Sequence, residues 1–175
     1  PDLQMAAAVG QARLMSRYDA LFASRNITVG QMLLTHTDFH HKIRLTNARR
    51  TMENLIRHGV LPIVNENDVV ADEEIRADLA LGDNDLLAGL VVKMMRADLL
   101  LLLTTTDGLR EPGKRGRTRR VRCLESVTRK TFALVTESRS SLTKGGMVSK
   151  LKVAQMVTRA GCTAVIADGR RADVI

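Results

Sequence analysis

At 175 residues and 45% hydrophobic side chains, the chain suits one globular domain with a sizeable core, and its 2% aromatic content makes that core aliphatic. No apolar run approaches the ~20 residues of a membrane span, and two lone cysteines, Cys123 and Cys162, give no disulfide framework and fit a reducing cytoplasm. The net charge of +8 is mostly local, because residues 113–122 carry six Lys or Arg and no acid.

In chain order, residues 3–24 read as a helix with Leu3, Ala7, Leu14, Leu21 and Phe22 on one face and Gly10 as its weak point. Asn26 marks a turn, and residues 27–34 form a β-type run. A second helix is expected from Leu45 to His58, capped by Thr46 or Asn47 and stopped by Gly59. His36, His40 and His41 precede it; without a cysteine or a carboxylate pair beside them, a surface loop is favoured over a zinc site. Residues 60–64 read as a short buried strand, 85–96 as a helix, and 98–104 as a strand so continuously aliphatic that it suits the centre of a parallel sheet.

The basic run follows. A nucleic-acid face interleaves aromatics with its cations, whereas this run is punctuated by glycine in a chain with no Trp and one Tyr. A solvated loop is therefore expected at 113–122 and disorder across 110–122, with attraction of ATP or another anion a milder reading. Residues 148–160 read as a helix ended by Gly161, and 163–167 as a last strand with Cys162 as a small core residue beside it. Strands alternate with helices, which predicts an α/β fold with a mainly parallel open sheet and ligands beyond the carboxyl ends of its strands.

Three motifs carry chemistry. Asn65-Glu66-Asn67-Asp68 closes the 60–64 run, and Gly82-Asp83-Asn84-Asp85 opens a helix. If these converge, their carboxylates and carboxamides can hold the ammonium and carboxylate of an amino acid, or order lysines and Mg2+ around a phosphate. Lys144-Gly145-Gly146-Met147-Val148-Ser149-Lys150 enters the next helix. Two glycines at a helix start can let backbone N–H groups approach an anion, with Lys150 in reach of a phosphate; an ordinary flexible helix start is the other reading of the same residues. Neither a Walker-type loop nor a G-x-G-x-x-G turn is present, and no residue set is assigned to a metal.

Taken together, these motifs resemble the glutamate 5-kinase branch of the amino acid kinase family. Ala8-Val9-Gly10-Gln11, Gly30-Gln31-Met32-Leu33-Leu34-Thr35, Leu45-Thr46-Asn47-Ala48-Arg49 and Asp107-Gly108-Leu109 share in the likeness, which covers nearly all of the chain. The resemblance implies a three-layer α/β sandwich and ATP- and Mg2+-dependent phosphorylation of the γ-carboxylate of L-glutamate, by a homo-oligomer in the cytoplasm, on the way to proline. It implies glutamate binding by Asn65, Asp68, Asp83 and Asn84. Asp85 orders the catalytic lysines, Lys150 neutralises the transferring phosphoryl group, and Thr104, Thr105 and residues 144–150 contact the nucleotide. Thr105 stands where the family usually has Asp, Lys144 where it has Thr or Arg, and 76–81 is a few residues longer than usual. The pattern also places a lysine-bearing strand and a Ser-Gly-Ala strand ahead of these residues, and in many members a PUA-type RNA-binding domain behind them. Residues 1–175 are thus expected to be a partial kinase domain, inactive on its own. A family member with another acceptor, and a catalytically silent ligand-binding relative, stay open beside this reading.

Overall fold

Aliphatic runs of this sequence form parallel strand pairs in the computed structural model, one pair in each of two units, Pro1–Leu79 and Ala80–Ile175. The structure describes residues 2–70, 83–113, 117–136 and 141–175, with backbone alone for Asp83, Thr136 and residues 141–145. Among the described residues, no helix is long and apolar enough to cross a membrane.

The first unit runs α1 (Asp2–Ala23), β1 (Val29–Leu34), a 3-10 turn (His36–Phe39), α2 (Lys42–Arg57) and β2 (Leu61–Glu66). β1 and β2 pair in parallel from Val29 opposite Leu61 to Leu34 opposite Glu66; a parallel pair needs a crossover, and α2 supplies it. Met32, Leu34 and Met52 are the buried apolar residues among the described residues of this unit. Gly30 lets α2 settle on β1: a Cβ there would stand 3.1 Å from both Leu55 and Val60. The expected apolar face of α1 is not buried, with Leu3 81% exposed and no buried residue along the helix. Its Ala, Leu, Met, Gln and Arg content favours the helix without burial.

The second unit runs α3 (Asp83–Met95), β3 (Leu99–Thr104), β4 (Arg110–Pro112), β5 (Thr118–Arg120), α4 (Arg129–Thr136), α5 (Ser141–Thr158) and β6 (Thr163–Asp168). β3 and β6 pair in parallel, from Leu99 opposite Thr163 to Thr104 opposite Asp168. Val92, Leu100, Leu102, Val153, Val157 and Cys162 form the main core beneath them. Leu109, Val135 and Leu151 form a second cluster, against which Met147, Val148 and Ile166 pack. Gly161, at φ +89°, ends the turn after α5, and the Cys162 N–H bonds back to the Val157 carbonyl before β6 begins.

Several boundaries depart from the sequence expectation. α2 starts at Lys42 with His41 as its cap, and Thr46 lies inside the helix with its hydroxyl donating to the Lys42 carbonyl at 2.8 Å. That local bond suits a helix interior as well as a cap, so the residue type misled. Of the segment expected to be disordered, residues 114–116 lie outside the described residues, and on either side of them two short strands pair antiparallel, from Arg110 opposite Arg120 to Pro112 opposite Thr118. Arg110 binds Asp107 at 2.9 Å and Arg119 binds Glu111 at 2.6 Å, so the segment's charges are partly paired. Helix α4 had no counterpart in the sequence reading. The histidine segment is a 3-10 turn capped by Thr35, whose hydroxyl donates to Asp38. His36 and His40 have ring centroids 4.8 Å apart, and burial, then the neighbouring imidazole, pushes the His36 pKa down.

Two helix-interior glycines test how far packing rather than backbone freedom decides the fold. A Cβ at Gly89 would collide with Met156 and stand 2.9 Å from Val153, whereas one at Gly10 would meet nothing within 4 Å. Gly89→Val is expected to lower stability by ~1–3 kcal/mol through overpacking. Gly10→Ala is expected to raise it by ~0.5–1 kcal/mol. Urea unfolding midpoints of the two variants check both signs.

Candidate functional site

Helices α3 and α5 pack on one another, and the close approach at Gly89 fixes their register. Asp85 lies one turn before Gly89, and Lys150 about one turn before Val153, on the faces that meet. The Lys150 ammonium therefore donates to both oxygens of Asp85, at 3.0 and 2.9 Å. Both side chains are largely shielded, at 14% and 18% exposure. An ammonium carries three protons, so the clamp holds the cation still and leaves it capacity for an anion. The pair joins positions 65 residues apart in sequence.

Around it, Asp83 is the first residue of α3, and Asn84 follows it, exposed. Gly82 and residues 76–81 lie outside the described residues. Thr104 closes β3 opposite Asp168, and its carbonyl accepts the Gly169 N–H at 2.9 Å. Thr105 is exposed, while the Thr106 hydroxyl is buried with no partner among the described residues. Asp168 is held by Arg170 through both carboxylate oxygens, at 2.9 and 2.7 Å. Those side-chain bonds, followed by the Arg170 N–H, lower its pKa to about 2.

The glycine-rich segment sits differently from its sequence reading. α5 begins at Ser141 rather than near Val148, so Lys144 and Gly145 to Lys150 all lie within it. Gly145 and Gly146 come after the four residues whose N–H groups lack an intrahelical acceptor, so their amides are not a free cradle. What the segment presents is side chains: Met147 and Val148 go to the second cluster, Ser149 is buried, and Lys150 goes to Asp85.

In the first unit, Asn65 and Glu66 are the last residues of β2 rather than part of a loop. The Asn67 N–H reaches the Leu34 carbonyl at 2.9 Å, and Asp68 lies just beyond. The Asn65 amide donates to Gln11 of α1 at 2.9 Å. Sequence reasoning had Gln11 only as part of a likeness; the sole signal was a polar residue within a weakly polar stretch of helix. Among the described residues, no group of three or more His, Cys, Asp or Glu is placed to hold a metal.

The profile of the amino acid kinase family matches residues 2–168. A glutamate 5-kinase of Dehalococcoides mccartyi (strain CBDB1) is 41% identical over 177 aligned positions, which take in 100% of this chain and 47% of the relative. One from Moorella thermoacetica is 42% identical over 100% of this chain and 46% of its own length. The chain thus spans about half the length of the curated relatives it matches. A carbamate kinase from Giardia lamblia bound to AMP-PNP aligns with a TM-score of 0.44 and 21% identity, over 69% of this chain and 38% of that one.

Two outcomes follow from the geometry. A double-mutant cycle with Asp85→Ala and Lys150→Ala should give a coupling of ~1–3 kcal/mol in urea unfolding, as for contacting charged partners; additive losses would mean that the clamp does not form. The lowered Asp168 pKa favours its ionised form in the folded protein, so the Arg170 interaction is present above the ordinary carboxylate range and lost as pH falls toward about 2. Carboxyl NMR should show Asp168 titrating there, and Arg170→Ala should return it toward ~3.9.

Proposed function

The chain belongs to the amino acid kinase family, and on that premise we propose that the protein carrying it is a glutamate 5-kinase. It transfers the γ-phosphoryl group of ATP to the γ-carboxylate of L-glutamate, giving γ-glutamyl phosphate and ADP. The observation that carries this reading is the shielded clamp of Asp85 on Lys150, together with the name shared by relatives about 40% identical along the whole chain.

The chemistry suits the residues. A carboxylate is already a nucleophile, so no general base is required, and phosphoryl transfer depends on positioning and charge neutralisation. Lys150 meets the negative charge on the transferring group, and Asp85 keeps its ammonium from swinging away as that charge redistributes. For glutamate the candidates are Asn65 and Asp68 at the end of β2 in the first unit, and Asp83 and Asn84 at the start of α3 in the second. Thr104, Thr105 and the segment 144–150 hold the nucleotide. Mg2+ would travel with the nucleotide's phosphates and would screen their charge. With this activity go a homo-oligomer, a cytoplasmic location that suits two unpaired cysteines, and a place at the entry to proline synthesis.

The test is hydroxamate formation from L-glutamate, ATP, Mg2+ and hydroxylamine by the full-length protein. Lys150→Met should lower kcat ~100–1,000-fold, the usual scale for losing one charge-stabilising group, with little change in the KM for glutamate. Asp85→Asn should fall in the same direction. A folded, ATP-binding protein that yields no hydroxamate would sink the reading.

A further inference from the structure

Of the four hydrogen bonds its amide can make, Gln11 makes one among the described residues. Its Oε1 accepts from Asn65 Nδ2 at 2.9 Å across 54 residues of sequence. Its Nε2 is buried and has no partner among the described residues. Buried donors are nearly always satisfied, and an exception calls for an explanation. In this arrangement the Asn65 amide turns its Nδ2 toward Gln11. With one Nδ2 hydrogen committed to Gln11, Asn65 still has Oδ1, an acceptor, to offer a ligand, and Gln11 has Nε2, a donor. An acceptor and a donor held side by side, at the carboxyl end of a parallel strand, match the ammonium and carboxylate of an α-amino acid.

We infer that Gln11 is a specificity-determining residue that donates Nε2–H to the α-carboxylate of the amino acid substrate and holds Asn65 with its Oδ1 toward the ammonium. This rests on the reading of the site as one for glutamate. It adds a residue on α1, outside the two acidic-amide motifs, and gives it a defined atom and a defined partner.

Two variants of the full-length protein separate this role from a structural one. Gln11→Glu keeps an acceptor for Asn65 Nδ2 but loses the donor; Gln11→Met loses both. Each should raise the KM for L-glutamate about 10–100-fold, the fold-change of one lost hydrogen bond to a charged group, while the KM for ATP and the Tm hold. Competition by 4-aminobutyrate, which lacks the α-carboxylate, should be unchanged in Gln11→Glu. A wild-type glutamate KM in Gln11→Glu would overturn the inference and leave the kinase standing. So would equal losses for glutamate and 4-aminobutyrate. Should Gln11→Glu not fold, Gln11→Met decides by its glutamate KM. If the wild type phosphorylates nothing, thermal shift by L-glutamate decides separately. A shift lost in the Gln11 variants upholds the inference without the kinase, and a shift that is absent, or the same in all three proteins, overturns it.

Discussion

The closeness of α3 and α5 at Gly89 is the constraint on which the second unit depends. A side chain at that position would have to displace the end of Met156 and press on Val153, which stands 2.9 Å from where its Cβ would be. The separation of the two helices sets the depth at which Val153 and Val157 sit under β3 and β6. It also sets whether an aspartate one turn up α3 meets a lysine one turn up α5. Packing and charge placement are thus one arrangement read at two levels. The core fixes a register, and the register delivers an ammonium to a carboxylate.

The pair itself is a weak reason for stability. Shielding two charges from water costs about as much as their attraction returns, and apolar side chains of similar size often do as well. A half-buried clamp of this kind is better explained by what it holds in place. A lysine free in solvent samples many rotamers, whereas one tied through both oxygens of Asp85 presents its charge at one point. This suits a reaction whose catalysis consists largely of having positive charge waiting where negative charge will move.

What the sequence revealed divides along physical lines. The strands were legible because short, continuous aliphatic runs have few other uses: Leu99–Thr104 and Thr163–Asp168 came out within a residue or so of expectation. Helix starts were not, because Thr, Asn and Gly serve equally in caps and in interiors; Thr46 and Gly146 both lie inside helices that begin earlier. The strand pair at 110–112 and 118–120 was hidden by its arginines, whose pairing with Asp107 and Glu111 is a matter of geometry rather than composition. At the site, the family resemblance of the motifs pointed to Asp85 and Lys150, yet their contact across 65 positions has no sequence signature. Gln11 was harder still: what marks it is not its type but an unmet hydrogen bond.

That unmet bond has a counterpart. Among the described residues two buried side-chain polar atoms lack partners, Gln11 Nε2 and Thr106 Oγ1. One adjoins Asn65 at the end of β2, and the other lies two residues beyond the end of β3. A fold that left hydrogen-bond capacity unused through poor packing would scatter it. Here it falls in each unit at the carboxyl end of a parallel strand, the region where open α/β sheets receive ligands, while the aliphatic clusters beneath are built from groups with no such demands. The two arise differently: Gln11 reaches the end of β2 from α1, whereas Thr106 lies on the chain leaving β3. Of the two, Gln11 Nε2 stands beside a second amide, Asn65, at 2.9 Å, so a donor and an acceptor are available there together.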